Sequence, residues 1–100
     1  MLNINQKTME AYQQKAQAQI KEMKARLQVF EARAENASAD MKIKHQDNLA
    51  DWKARFEDIE NRMNKLSESS GEAWEDIRTG IDNALGELQS AIQKGTDQFK

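Results

Sequence analysis

Asn36-Ala37-Ser38-Ala39-Asp40 decides between two folds for this chain. Asparagine, serine and aspartate can each cap a helix, so the stretch has the residues to stop one. Three features oppose a stop. No Glu or Gln stands at the capping-box position, there is no glycine, and the apolar residues Ala34, Ala37 and Met41 pass straight through in steps of three and four. The spacing predicts a helix that continues through residues 36–40, with a break there as the alternative.

Those steps belong to a seam that runs almost end to end. Upstream it takes in Phe30, Leu27, Met23, Ile20, Ala16, Tyr12 and Met9. Downstream it passes Leu49, Trp52, Phe56, Ile59, Met63 and Leu66, then Trp74, Ile77, Ile81, Leu85, Leu88, Ile92 and Phe99. With His45, Ser70 and Gly95 filling its weak places, the seam makes 25 steps over the 90 residues from Met9 to Phe99, a mean of 3.6. A strict heptad would average about 3.5 and wind a left-handed supercoil; this period predicts nearly straight helices packed side by side. No proline interrupts the pattern.

The clear break lies further on, at Leu66-Ser-Glu-Ser-Ser-Gly-Glu-Ala-Trp74. Ser69 with Glu72 reads as a capping box, and Gly71 supplies backbone freedom at the junction. Glu72, Glu75 and Asp76 then fall where a helix N-terminus favours negative charge. Gly80 and Gly86 inside the following helix read as points of close approach by a neighbouring helix. Residues 1–5 read as a frayed end. The expected fold is all-α and a single domain over residues 1–100. A long helix over about 6–66 is followed by a second over about 70–98 that folds back as an antiparallel coiled-coil hairpin; the alternative is a three-helix bundle with an extra break near 36–40.

The continuous reading has a consequence for assembly. A C-terminal helix folded back from residue 69 covers the seam only to about residue 40, leaving Met9, Tyr12, Ile20, Met23, Leu27 and Phe30 without a partner. At ~1.5–3 kcal/mol per large side chain, exposing these six forgoes about 9–18 kcal/mol, as much as a small domain's whole stability. A second copy is the expected cover. The expected self-association interface is therefore Met9, Tyr12, Ile20, Met23, Leu27, Phe30, Trp52, Phe56, Ile59, Trp74, Ile77, Ile81, Leu85 and Leu88, with Ser69, Gly71 and Glu72 forming the helix junction.

Ser70-Gly71-Glu72-Ala73-Trp74-Glu75-Asp76-Ile77-Arg78-Thr79-Gly80, followed by Ala84, Glu87-Leu88 and a terminal Phe99-Lys100, resembles the C-terminal half of a family of small bacterial coiled-coil proteins. That family reads S-G-E-A-W-E-D-L-K-x-G before an A-x-x-E-L segment, and some members carry a stress-response name. Ile77 in place of Leu and Arg78-Thr79 in place of Lys-x depart mildly from it. The likeness covers the last third of the chain; the rest matches only in style. It implies a helical cytoplasmic protein with a stress-related role, and no catalytic residues.

Composition narrows the function classes. Of 100 residues 38% are hydrophobic, but 13 are alanine, so large apolar side chains are few, as suits a thin helical interface. A net charge of −2 lacks the basic surplus that nucleic acid requires. Residues 1–66 carry 12 Lys+Arg against 10 Asp+Glu and residues 67–100 carry 3 against 7, a mild bias toward mutual attraction. The N-terminus lacks the apolar core of a signal peptide, and no stretch approaches the ~18 apolar residues of a membrane span, so cytoplasmic localisation is expected.

With no cysteine and one histidine, thiol nucleophiles and histidine metal clusters are ruled out. Phosphate-loop and dinucleotide motifs are absent as well. The chain is expected to be non-enzymatic, with no catalytic, cofactor-binding or metal residues and no small-molecule substrate. The leading expectation is a structural or interaction protein that forms a homo-oligomer through the seam. The alternative is an amphipathic protein of the apolipoprotein or phasin type that lays its helices on a lipid or granule surface. It is less favoured because such proteins want a wide apolar face and a basic rim, whereas this face is narrow and its C-terminal helix acidic.

Overall fold

The seam folds against itself. In the computed structural model, which describes residues 6–97, three helices follow one another: α1 (Gln6–Glu35), α2 (Ala39–Ser67) and α3 (Gly71–Asp97). No strand occurs among the described residues. Phe99 and Lys100, with the N-terminal residues 1–5, lie outside them. Three-residue loops reverse the chain twice, so α1 and α3 run parallel and α2 runs antiparallel to both. The rod measures 54 × 18 × 17 Å.

One core threads the rod, contributed by all three helices. It holds Ala16, Ile20, Met23, Leu27 and Phe30 of α1, Trp52, Phe56, Ile59 and Leu66 of α2, and Trp74, Ile81, Leu85, Leu88 and Ile92 of α3. Met9, Tyr12, Leu49, Met63 and Ile77 pack against it half-buried. Charged side chains stand outside, several paired at i,i+4: Glu22 with Arg26 (3.1 Å), Asp51 with Arg55 (2.9 Å) and Asp58 with Arg62 (2.8 Å).

The helix expected to continue over 6–66 is instead two helices, parted at Asn36–Ser38. The last turn of α1 tightens, with the Asn36 N–H donating to the Arg33 carbonyl (3.1 Å) and the Ala37 N–H to that of Ala34 (3.2 Å). Asn36 also donates from Nδ2 to the Ala32 carbonyl (3.4 Å). Ser38 then caps α2: it is extended (φ −62°, ψ 163°), its Oγ accepts from the Met41 N–H (3.4 Å), and its carbonyl accepts from the Lys42 N–H (2.8 Å). The reason is energetic. Reversing here covers Met9 to Phe30 with the chain's own α2 and α3, a gain far larger than the cost of ending one helix and starting another.

At the second reversal the break falls where the sequence placed it, but the cap chemistry differs. Ser69 Oγ donates to the Lys65 carbonyl (2.8 Å) and Ser67 Oγ to that of Asn64 (2.7 Å), so these serines close α2 in place of the expected Ser69–Glu72 box. Gly71 opens α3 at φ +62°, a left-handed conformation that glycine adopts without strain. The two serines are therefore expected to rank opposite to the capping-box reading. Ser38→Ala should lose ~1 kcal/mol as a missing N-cap, and Ser69→Ala should lose less, since α2 ends there with other bonds. Urea unfolding of both variants at micromolar concentration checks the order; a larger loss at Ser69 would contradict it.

Candidate functional site

Two aromatic nodes hold the three helices together, one near each end of the rod. At the end that carries the 36–38 loop, Phe30 of α1 meets Trp52 of α2 edge-on (ring centroids 4.6 Å apart) and the fully buried His45 imidazole likewise (4.9 Å). Edge-to-face contacts of this kind add to what burial contributes. Trp52 reaches the backbone of α3 at Gly95, where an added Cβ would run into the indole Cη2 and Cζ2. Gly95 was legible only as a weak slot in the seam; across the bundle it is the opening that admits the tryptophan. The expected close approaches at Gly80 and Gly86 are corrected accordingly. A Cβ at Gly80 would meet only the tip of the flexible Arg62 guanidinium, and Gly86 faces open space.

At the other end Tyr12 of α1 packs edge-on against Trp74 of α3 (5.6 Å) and donates its hydroxyl to Asp82 Oδ1 (2.7 Å). Arg78, one turn before Asp82, bonds its carboxylate (2.9 Å) and that of Glu75 (2.9 Å), and sits 5.9 Å above the Tyr12 ring. The Trp74 indole N–H is buried and meets no hydrogen-bond acceptor among the described residues, so this tryptophan serves by packing. Between the nodes, Lys24–Glu60 (2.5 Å) and Glu31–Lys53 (3.4 Å) join the rims of α1 and α2. Pairs this exposed contribute below about 1 kcal/mol each and serve register more than strength.

Partial burial, reinforced by the bond to the Asp82 carboxylate, pushes the Tyr12 phenol well above its ordinary 10. A phenol whose pKa is raised on folding adds stability below its unfolded value and loses it as pH climbs through the folded one. Stability should therefore fall above pH 10 in the wild type, and Tyr12→Phe should remove that part of the slope. Because Tyr12 is the one tyrosine in the chain, tyrosinate absorbance reads it directly. Ordinary titration near pH 10 in the folded protein would dissolve this clasp.

The structure places every residue of the expected interface inside or against this one core, on helices of the same chain. Among the described residues no group of His, Asp and Glu is disposed to hold a metal ion, and no helix is long and apolar enough to cross a membrane. Shallow clefts between the helices, about 230 Å³ for the one between Arg26 and Ile92, fall below the ~300–1,000 Å³ of ordinary ligand pockets or at its lower end. That cleft's Arg26 is already engaged with Glu22. What is built with care is the helix–helix interface. No family model, curated protein or solved structure matches the chain.

Proposed function

We propose that this chain is a non-enzymatic structural protein that associates with a second copy of itself through the seam, with the closed three-helix bundle as its resting form. The closed bundle covers the seam within one chain, so what supports association is the 36–38 reversal, across which Ala34, Ala37 and Met41 keep helical register and can offer one continuous seam to a second copy. The large seam side chains from all three helices form a single buried stripe, so helix pairing is the chemistry into which this sequence puts its apolar residues. Some of the surface charges pair along single helices, as Glu22–Arg26, Asp51–Arg55, Asp58–Arg62 and Arg78–Asp82 do, and support the helices that carry the seam. A link to stress response rests on the Ser70–Gly80 resemblance alone.

The lipid-surface reading has less in its favour. The exposed large apolar side chains among the described residues are Val29 and Ile43, placed singly on α1 and α2. Isolated residues of this kind are ordinary on soluble surfaces. Light scattering coupled to size exclusion is expected to show a dimer that grows with concentration. The thermal midpoint should rise over the same hundredfold range, because mass action ties an oligomer's stability to its concentration. A monomer mass with a constant midpoint would refute self-association, and strong partition onto neutral or anionic vesicles would put the lipid reading in its place.

A further inference from the structure

We propose that α1 is exchanged between two copies of this chain, with residues 36–38 straightening so that α1 and α2 become one helix. The inference rests on the self-association reading above and supplies its route. A closed bundle has already buried its seam, so a second copy reaches it only if one helix leaves and the identical helix of the other copy takes its place. The vacated groove on α2 and α3 fits the partner's α1 side chain for side chain, as in any exchange of identical elements.

The 36–38 loop is built in a way that permits this. Asn36, Ala37 and Ser38 include no glycine, no proline and no residue at positive φ. The steps Ala34, Ala37 and Met41 keep helical register across the loop, so a straightened helix presents the same apolar face on both sides. The reversal leaves the last carbonyls of α1 and the first N–H groups of α2 outside a helical ladder. Their side-chain replacements, Asn36 Nδ2 to the Ala32 carbonyl and the Met41 N–H to Ser38 Oγ, are both long at 3.4 Å. A continuous helix would satisfy those groups in its own ladder. The 68–70 loop differs: it leads into Gly71 at φ +62°, a backbone conformation that a continuous right-handed helix does not contain. The α2–α3 interface is also the most extensive of the three, so α1 is the helix to leave.

Ala39→Pro separates the two forms. Ala39 is the exposed first residue of α2, where proline's fixed φ and missing N–H are tolerated, and Ser38 already has the extended backbone that a residue before proline requires. In a continuous helix the same proline would clash with the Glu35 carbonyl and break the rod. The converse variant, Asn36→Ala with Ser38→Ala, removes the stop and favours the rod. Scattering of all three proteins is expected to show Ala39→Pro as a monomer of unchanged helicity, and the double alanine variant as a dimer with a Kd lower by about tenfold or more.

Chain connectivity is read by carbodiimide coupling of the Lys24 amine to the Glu60 carboxylate, which touch in the closed bundle but would stand about 54 Å apart on one straight helix. In dimers grown from a mixture of light and nitrogen-15-labelled chains, the coupled peptides should join one label to the other. A wild-type dimer that persists in Ala39→Pro, with coupling only within chains, would overturn exchange while leaving self-association standing. Absence of a dimer even in the double alanine variant would overturn both.

Discussion

Trp52→Ala is expected to cost about 3–5 kcal/mol, the range for removing a large aromatic side chain from a packed core. The indole is 2% exposed and lies between the Phe30 ring and the α3 backbone. Its removal therefore leaves a void bounded by two other helices, which cannot close without bending α3. Gly95 makes the expectation sharper. Alone, Gly95→Ala would drive a methyl into the indole, at an overpacking cost of ~1–3 kcal/mol that outweighs the ~1 kcal/mol alanine gains in helix propensity. The ring is wedged against Phe30 and has little room to yield.

In the Trp52→Ala background that ring is gone, the methyl enters vacated space, and the propensity gain is left standing. The second substitution should thus change sign, from destabilising to stabilising, between the two backgrounds. Gly86→Ala, on the same helix but facing open space, should be stabilising in both. Urea unfolding of the four proteins as a double-mutant cycle measures the coupling. A wild-type background in which Gly95→Ala stabilises would mean that Trp52 does not rest on α3.

The apolar period picked out the core because helical spacing and burial are the same fact seen twice: Ile20, Leu27, Ile59, Ile81 and Leu88 are one face in the sequence and one stripe in the bundle. The reversal at 36–38 was legible only as an alternative. Nothing local compels it, since Ala34, Ala37 and Met41 keep step across it, and the energy that decides comes from helices tens of residues away. Ser69 and Glu72 show the opposite error. Their spacing satisfies a motif, yet the serine hydroxyl donates back to the Lys65 carbonyl of the preceding helix. The clasp from Tyr12 to Asp82 spans 70 residues, and the fit of Trp52 to Gly95 joins two helices. Pairings of that range have no signature in one sequence, since each partner is an ordinary seam or flank residue until the helices are set side by side.

Replacing Ile20 and Leu27 together with lysine is expected to release α1 and leave a shorter hairpin of α2 and α3. Both side chains are 8% exposed and stand on the stripe of α1 that faces the other helices. Their burial is worth ~1.5–3 kcal/mol each, so about 3–6 kcal/mol is lost before counting the cost of two ammonium groups at the same face. The rim pairs Lys24–Glu60 and Glu31–Lys53 cannot replace this, at less than about 1 kcal/mol apiece. Against a total of about 5–15 kcal/mol for a domain of this kind, the loss removes most of what holds α1. The α2–α3 pair keeps the most extensive interface and the contacts of Trp52, Phe56, Ile59, Ile81, Leu85 and Leu88. Hydrogen exchange should therefore lose protection over 6–35 and retain it over 39–97, while far-ultraviolet circular dichroism falls by the share of the 30 residues of α1. Because α1 would use the same face in an exchanged dimer, this variant should also be monomeric at every concentration. Protection lost evenly from all three helices would show instead that the core is a single cooperative unit, with no α2–α3 hairpin able to stand once α1 is gone.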